Sequence, residues 1–400
     1  MDAPRPHRTY VVVFTAVVAA VLLPVLALNY TLGLRSLGGT SSTVRASLWQ
    51  QTTRGVTYAP PLSNNRPFKS ARLFDRLPEI NTVVFGSSTA MGITEGMFPA
   101  GMTAYNFAQT GNELMSVIAE AEYVQRRQSG VKWLVIPLDW ALGFVYHPGT
   151  PGRAELALPA ADAPAAGLAV PLVQQLQDAL SLPRVRNLFG ILQGIARAAS
   201  PRAAFSQVFL QDESDEYRCA DGTLARDFDT IFRGTCTGFR YDGSATFGNL
   251  EPVPPRRAEA LIASAVVASS KYAIALTRSG GAPNPVILER LAVLARGMQA
   301  RGGGVIFFLP PLLPGLERAL LNAPHTATLL RHTKDEFARW ARAHKLVIID
   351  AGQAERYGCG VSEFVDEHHA LPQCYARIFE RYWRDAGTPD AVRAGLYAVE

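Results

Sequence analysis

Two kinds of apolar run punctuate the chain. From Tyr10 to Leu28 almost every position is apolar and none is charged, with only Pro24 interrupting. That is about the length a helix needs to cross a bilayer core. Shorter runs recur at Thr82–Phe85, Met102–Phe107, Val131–Leu138, Val305–Leu309 and Leu346–Asp350, where turn residues bound most of them. They predict buried strands. Between them apolar residues fall at helical spacing, as with Leu114, Val117, Ile118 and Ala121 behind a capping Asn112. Helices are expected over 114–127, 172–200, 256–277, 285–301 and 316–344, with a last one from about Gln373 after Pro372. Strands alternating with helices predict an α/β domain built on a parallel sheet.

Three stretches break this pattern. Residues 31–70 are rich in Ser, Thr, Gly, Pro and Asn, which reads as a stalk or loosely packed lead-in. His147–Val170 shifts to Ala, Pro and Gly and reads as a lid or insertion, while 205–255 is irregular and rich in Asp, Gly and Arg. The expected organisation is a cytoplasmic tail over 1–9, an anchor over 10–28, a stalk over 29–70 and a domain over 71–400 with an insertion at about 145–255.

Charge sets the orientation of the anchor. Arg5, His7 and Arg8 precede the apolar run, so the amino terminus should stay inside and the body should be exported. A cleaved signal peptide is the competing reading; the run is longer than a signal core and no clean Ala-x-Ala site follows it, which favours the anchor. The chain of 400 residues carries a net charge of +5, but its arginines are scattered, so nothing marks a nucleic-acid surface. No repeat and no Gly-x-x-x-x-Gly-Lys loop is present, and Gly302-Gly303-Gly304 reads as a connection; no cofactor is implied.

Cys219, Cys236, Cys359 and Cys374 fall as two sequence-close pairs in turn-rich regions, as an exported protein would use for disulfides. Of the three possible connectivities, spacing favours Cys219 with Cys236 and Cys359 with Cys374. A zinc site is the other reading, disfavoured because no Cys-x-x-Cys occurs and expected to be absent.

The candidate chemistry lies at the two ends of the domain. The first strand runs into Gly86-Ser87-Ser88-Thr89, and a hydroxyl just beyond the carboxyl end of a parallel strand sits where such sheets bind ligands. Near the other end Asp366-Glu367-His368-His369 precedes the last helix. An Asp three residues before a His in a turn can accept a hydrogen bond from Nδ1–H of His369 and leave Nε2 to act as base toward a serine. Each motif alone is more often an ordinary turn or cap.

Together, Gly86-x-Ser88 after the first strand and Asp366-x-x-His369 before the last helix resemble the SGNH, or GDSL-like, family of serine esterases and acyltransferases. The resemblance covers 80–139 and about 300–386. It implies a flavodoxin-like, three-layer domain, with Ser88 as nucleophile, His369 as general base, Asp366 as its orienting partner, and the N–H groups of Ser88 and Gly111 as oxyanion donors. This chain departs from the family pattern at two places. Ser87 stands where an Asp usually precedes the serine, and Pro137-Leu138-Asp139-Trp140 replaces the Gly-x-Asn-Asp block that donates to the oxyanion. Asn106, Asn112 or Gln109 is expected to substitute. The same loosening recurs in a membrane-anchored branch that acylates envelope polysaccharides, similar to alginate O-acetylation proteins and the D-alanyl transfer protein of teichoic acid synthesis. An α/β-hydrolase is the nearest competitor, but there the serine follows a mid-sheet strand and the acid and histidine come from separate loops.

The expected function is transfer or hydrolysis of an acyl ester of an envelope polysaccharide, the partners being that substrate, the membrane and a membrane-embedded protein that delivers the acyl group. The alternative is a non-catalytic envelope protein that binds a glycan or scaffolds an assembly. Asp139, Arg240, Tyr241 and Asp242 are candidate substrate contacts, the last three against the simpler reading of a locally hydrogen-bonded turn.

Overall fold

A computed structural model describes residues 6–29, 42–58, 65–139, 180, 182–206, 216–228, 234–248 and 253–386. The stretch His147–Val170, expected as an insertion, lies outside the described residues, as do 1–5 of the expected tail. The chain divides into two compact units, Met1–Leu62 with Ala163–Cys236, and Ser63–Asp162 with Thr237–Glu400.

The first unit contains the apolar helix Pro6–Asn29, of which the 19 residues Thr9–Ala27 are long and apolar enough to cross a membrane. Their side chains are almost all exposed. Where a stalk is expected, the structure has a helix, Ser42–Thr53, and a strand, Val56–Tyr58, parallel to Leu224–Asp227. Trp49 anchors this helix by donating to Glu216 at 2.6 Å, and Gln50 by donating to the Gly55 carbonyl at 2.9 Å. A helix at Leu182–Ala196 follows the expected pattern. The segment read as irregular also pairs, Tyr217–Arg218 running antiparallel to Leu224–Asp227, and Cys219 is bonded to Cys236.

The second unit is built on a five-stranded parallel sheet. After helix α1 (Arg66–Arg76), its elements are β1 (Thr82–Val84), β2 (Ala104–Asn106), α2 (Leu114–Arg127), β3 (Trp133–Pro137), α3 (Pro255–Ser279), α4 (Pro285–Gln299), β4 (Gly304–Leu309), α5 (Leu316–Asn322), α6 (Pro324–His344), β5 (Val347–Asp350) and α7 (Pro372–Ala386). The strand order is β2-β1-β3-β4-β5, every pair parallel. Every residue of β1 to β4 is buried, so both faces of the sheet are covered, which is why these strands read as unbroken apolar runs. The order reverses beside β1, and crevices at such a reversal, beyond the carboxyl ends of the strands, are where ligands bind in open α/β sheets.

Three local differences from expectation have physical causes. The helix expected over 316–344 is two helices, because Pro324 has no N–H to continue the first and instead starts the second. Glu113, not Asn112, occupies the N-cap of α2, and the Asn112 side chain is used elsewhere. Helix α1 begins within the expected stalk and runs past its end, and it buries Lys69, Arg72 and Arg76 beside Phe68, Ala71 and Leu73. Helix α3 is also long and apolar enough to cross a membrane, but it buries Leu261, Tyr272 and Leu276 and packs against α5 and α6.

Candidate active site

The nucleophile candidate owes its position to a glycine. Just past β1 the chain passes Pro137 at Gly86, where φ is +140° and a Cβ would lie 2.6 Å from the proline ring. No other residue takes that conformation without strain. Ser87 then caps a single 3₁₀ turn, Ser88–Ala90, accepting from the Thr89 N–H at 3.4 Å. The turn leaves Ser88 half-buried with its hydroxyl facing the loop before α7.

That loop supplies the acid and base. His369 Nε2 is 2.7 Å from Ser88 Oγ, and His369 Nδ1 is 2.6 Å from Asp366 Oδ2. The other oxygen of Asp366 accepts the backbone N–H groups of His368 and His369 at 3.0 and 2.9 Å. Burial opposes ionisation of Asp366, but the hydrogen bond from His369 and the charge of the two imidazoles outweigh it and hold the carboxyl well below the usual carboxylate range. An ionised Asp366 accepting at Nδ1 fixes the tautomer in which Nε2 has a lone pair for the serine proton.

Covalent and polar ties hold this loop. The Cys359–Cys374 disulfide closes it, with both cysteines buried. Inside it Val365 N–H donates to the His369 carbonyl at 2.9 Å and Leu371 N–H to the Glu363 carbonyl at 2.8 Å. From α3, Arg257 donates twice to the Val365 carbonyl at 3.2 and 2.9 Å, and Lys271 pairs with Glu367 at 3.2 Å. From α7 the buried Tyr375 hydroxyl donates to the Thr89 carbonyl, tying that helix to the nucleophile turn. The His368 ring lies against that of His369, tilted by 42° with centroids 4.2 Å apart, and burial, then the neighbouring imidazole, lower its pKa.

Opposite the relay lies a cleft of about 200 Å³, lined by Gly86, Ser88, Gly111, Asn112, Val117 and Asp139 among others. Gly111 has φ +64°, and neither its N–H nor that of Ser88 has an acceptor among the described residues. Backbone bonds extend the β1–β2 pairing into this loop, from Phe107 to Val84 at 2.7 Å and from Gln109 to Gly86 at 3.0 Å.

The structure thus brings Ser88, His369 and Asp366 into one hydrogen-bonded chain, and places Gly111 and Asp139 at the same cleft. Of the other candidates, Asn112 also lines the cleft but its amide is engaged, and Asn106, Gln109, Arg240, Tyr241 and Asp242 do not line it. Asn106 is buried and donates to the Ala90 and Ile93 carbonyls, both at 2.8 Å, which uses both amide hydrogens and leaves none for an oxyanion. Gln109 and Asn112 donate to Glu120, at 3.2 and 3.0 Å. Arg240, Tyr241 and Asp242 form a turn that docks on its own domain rather than lining the cleft. Arg240 donates to the Ala245 carbonyl at 2.6 Å, Asp242 accepts from Glu95 N–H at 2.8 Å, and the Tyr241 ring lies 4.2 Å from the Arg76 guanidinium. Cys219–Cys236 and Cys359–Cys374 are paired as their spacing predicts.

Asp366, His368 and His369 are also the one group of potential metal ligands among the described residues. Both ring nitrogens of His369 already face partners, so a metal would have to displace Ser88 or Asp366.

Several residues that matter here escape the motifs. Glu120 sits among buried apolar residues of α2, three after Val117 and four before Val124, and a lone carboxylate on that stripe was the available signal. Tyr272 of α3 is buried; burial first, then the carboxylates of Asp139, Glu367 and Asp366, push its hydroxyl up. Nothing in the local sequence marks it.

Compared with family models, curated proteins and solved structures, the chain matches none.

Proposed function

We propose that this chain is a serine acyl-transfer enzyme of SGNH type, acting on an acyl ester of a cell-envelope polysaccharide. The observation that carries the reading is the unbroken relay from Ser88 through His369 to Asp366, with 2.7 and 2.6 Å links, beside a cleft at the carboxyl ends of β1 to β3. The order β2-β1-β3-β4-β5, with β1 at the reversal, is that of flavodoxin-like sheets and supports the three-layer reading. The apolar helix and two disulfides support an anchored, exported body, its orientation resting on Arg5 and Arg8.

In the proposed reaction Ser88 Oγ attacks the acyl carbonyl while His369 Nε2 takes its proton. Asp366 stabilises the imidazolium, and the N–H groups of Ser88 and Gly111 receive the negative oxygen. Collapse breaks the ester bond, and His369 returns the proton to the departing alkoxide. A saccharide hydroxyl or water then attacks the acyl-enzyme, giving its proton to His369, which returns it to Ser88 Oγ as the acyl bond to that oxygen breaks. Transfer is favoured over hydrolysis, because an anchored enzyme can be fed by a membrane-embedded acyl donor.

One observation favours a second reading, a non-catalytic glycan-binding or scaffold protein: Asp139 lines the cleft where the family has an amide donor. A fluorophosphonate probe separates the two. The expected result is stoichiometric labelling at Ser88, lost in Ser88→Ala. An unlabelled wild-type chain, or envelope acylation intact in cells carrying Ser88→Ala but lost on gene deletion, would favour the scaffold.

A further inference from the structure

The loop bearing Gly111 is fastened by a buried ion pair that the proposed chemistry does not itself use. Glu120 is 1 % exposed, and its two oxygens take three side-chain donors. Gln109 Nε2 reaches Oε1 at 3.2 Å, Asn112 Nδ2 reaches Oε2 at 3.0 Å, and Arg66 Nη1 lies 3.0 Å from Oε1. Arg66 closes the circuit by donating to Asn112 Oδ1 at 2.8 Å. The Asn112 amide is therefore held at both ends, and its nitrogen also lies 3.4 Å from the Gly86 carbonyl, two residues before the nucleophile. On the other side of Gly111, Thr110 exchanges hydrogen bonds with Asn65, its N–H donating to Oδ1 at 3.3 Å and its hydroxyl oxygen accepting from Nδ2 at 3.4 Å. Gly111, the residue with the greatest backbone freedom, lies between two clamped neighbours.

Stability alone does not account for this arrangement. Desolvating a carboxylate and a guanidinium costs several kcal/mol, and apolar residues of similar volume often serve a core as well or better. Burial accordingly raises the Glu120 pKa, while Arg66 and the two amides oppose the rise. What the ion pair provides, and an apolar pair cannot, is a fixed direction for the amides that frame Gly111.

We propose that Glu120, acting through Arg66, Gln109 and Asn112, is a positioning residue that aims the Gly111 N–H at the oxyanion. The role rests on Ser88 being the nucleophile. A displacement of about 1 Å at a reacting group can cost a hundredfold in rate, so a loosened clamp should slow the chemical step and leave binding alone.

The test is saturation kinetics of fluorophosphonate labelling on the full chain in detergent, with hydrogen exchange over 107–113. Two variants are compared with wild type: Glu120→Gln, and the double variant Arg66→Met with Glu120→Leu, whose apolar pair keeps the core filled should the single variant fold poorly. The expected result is a ten- to hundredfold loss in maximal labelling rate with unchanged half-saturation, accompanied by at least tenfold faster exchange over 107–113. A folded variant that labels within twofold of wild type, or whose loop exchanges as slowly, overturns the positioning role alone. A wild-type chain that never labels overturns the enzyme reading and the positioning role with it.

Discussion

The two sides of the cleft are held by different physics. The loop carrying Asp366 and His369 is tied by a disulfide, a two-point grip from Arg257 and backbone bonds within the loop. The loop carrying Gly111 has no covalent tie among the described residues and rests on buried ionisable groups, Glu120 with Arg66, and Lys69 beneath the end of β2. A covalent tie fails on reduction and is indifferent to pH over the physiological range. Buried charges ignore reductant, but their contribution follows their protonation. The proton-relay side should therefore respond to redox state, and the anion side to pH.

The relay should show the largest effects. His369→Ala is expected to lower labelling and acyl transfer by about ten-thousandfold, since members of one catalytic unit fail together. Asp366→Asn should come close behind, because an amide facing Nδ1 leaves His369 in the wrong tautomer. His368→Ala, which removes the adjoining imidazole but no link of the relay, should stay within about twofold. If His368→Ala is inactive and His369→Ala normal, the relay is misassigned.

The two disulfides close loops of nearly equal length, 15 and 17 residues apart in sequence, and each should contribute about 3 kcal/mol by restricting the unfolded chain. Only one of them encloses chemistry. Replacing Cys359 and Cys374 by serine should lower the melting temperature and slow labelling at Ser88, whereas replacing Cys219 and Cys236 should lower stability and leave the labelling rate of folded protein unchanged. Equal slowing by both pairs would mean that covalent closure does not distinguish the relay loop.

The sheet and the relay were largely legible in the sequence. Strands buried on both faces appear as unbroken apolar runs such as Val305–Leu309, and Gly86-x-Ser88 with Asp366-x-x-His369 names residues that the structure joins. The bracing of the anion side was not legible, because it inverts the rule that charge means solvent. Ser, Thr, Gly, Pro and Asn made residues up to 70 read as stalk, yet α1 begins at Arg66 and its Lys69, Arg72 and Arg76 are all buried, Lys69 over the Phe239 ring at 4.6 Å and both arginines beside Tyr241. The same contacts explain why Tyr241 looked available for substrate: its partners are Arg72 and Arg76, cations that no pattern places in a core, while Arg240 and Asp242 are used by backbone groups of Ala245 and Glu95. The short strand Leu224–Asp227 depends on pairing with Val56–Tyr58, about 170 positions away, which local periodicity cannot register.

Asp139 probes the anion side directly. A carboxylate lining the cleft opposes negative charge developing on the acyl oxygen, and an amide in its place adds a donor. Asp139→Asn is expected to speed labelling by a neutral fluorophosphonate about tenfold, equivalent to about 1.4 kcal/mol in the barrier. Slower labelling would mean that Asp139 serves the site through its buried neighbours Tyr272 and Tyr375, whose hydroxyls feel its charge, and that the anion side is already complete.

The last effect falls on stability rather than on labelling, and it is the clearest test of pH sensitivity. Lys69 is fully buried, with Nζ donating to the carbonyls of Asn106, at 2.7 Å, and Gly243. Burial lowers its pKa from 10.5 to about 7, the charge of Asp242 only partly opposing the shift. Between those two values the unfolded chain binds a proton that the folded chain does not, so stability should rise with pH across that window, by at most about 1.4 kcal/mol per pH unit. Below about pH 7 both states are charged and the slope should vanish. Other groups titrate as well, so the measurement is the difference in denaturant midpoint between wild type and Lys69→Met from pH 6 to 10, where methionine fills the site without a titrating group. A difference that stays flat would show that Lys69 keeps its charge in the fold, leaving the Glu120 and Arg66 pair as the only part of this bracing open to pH.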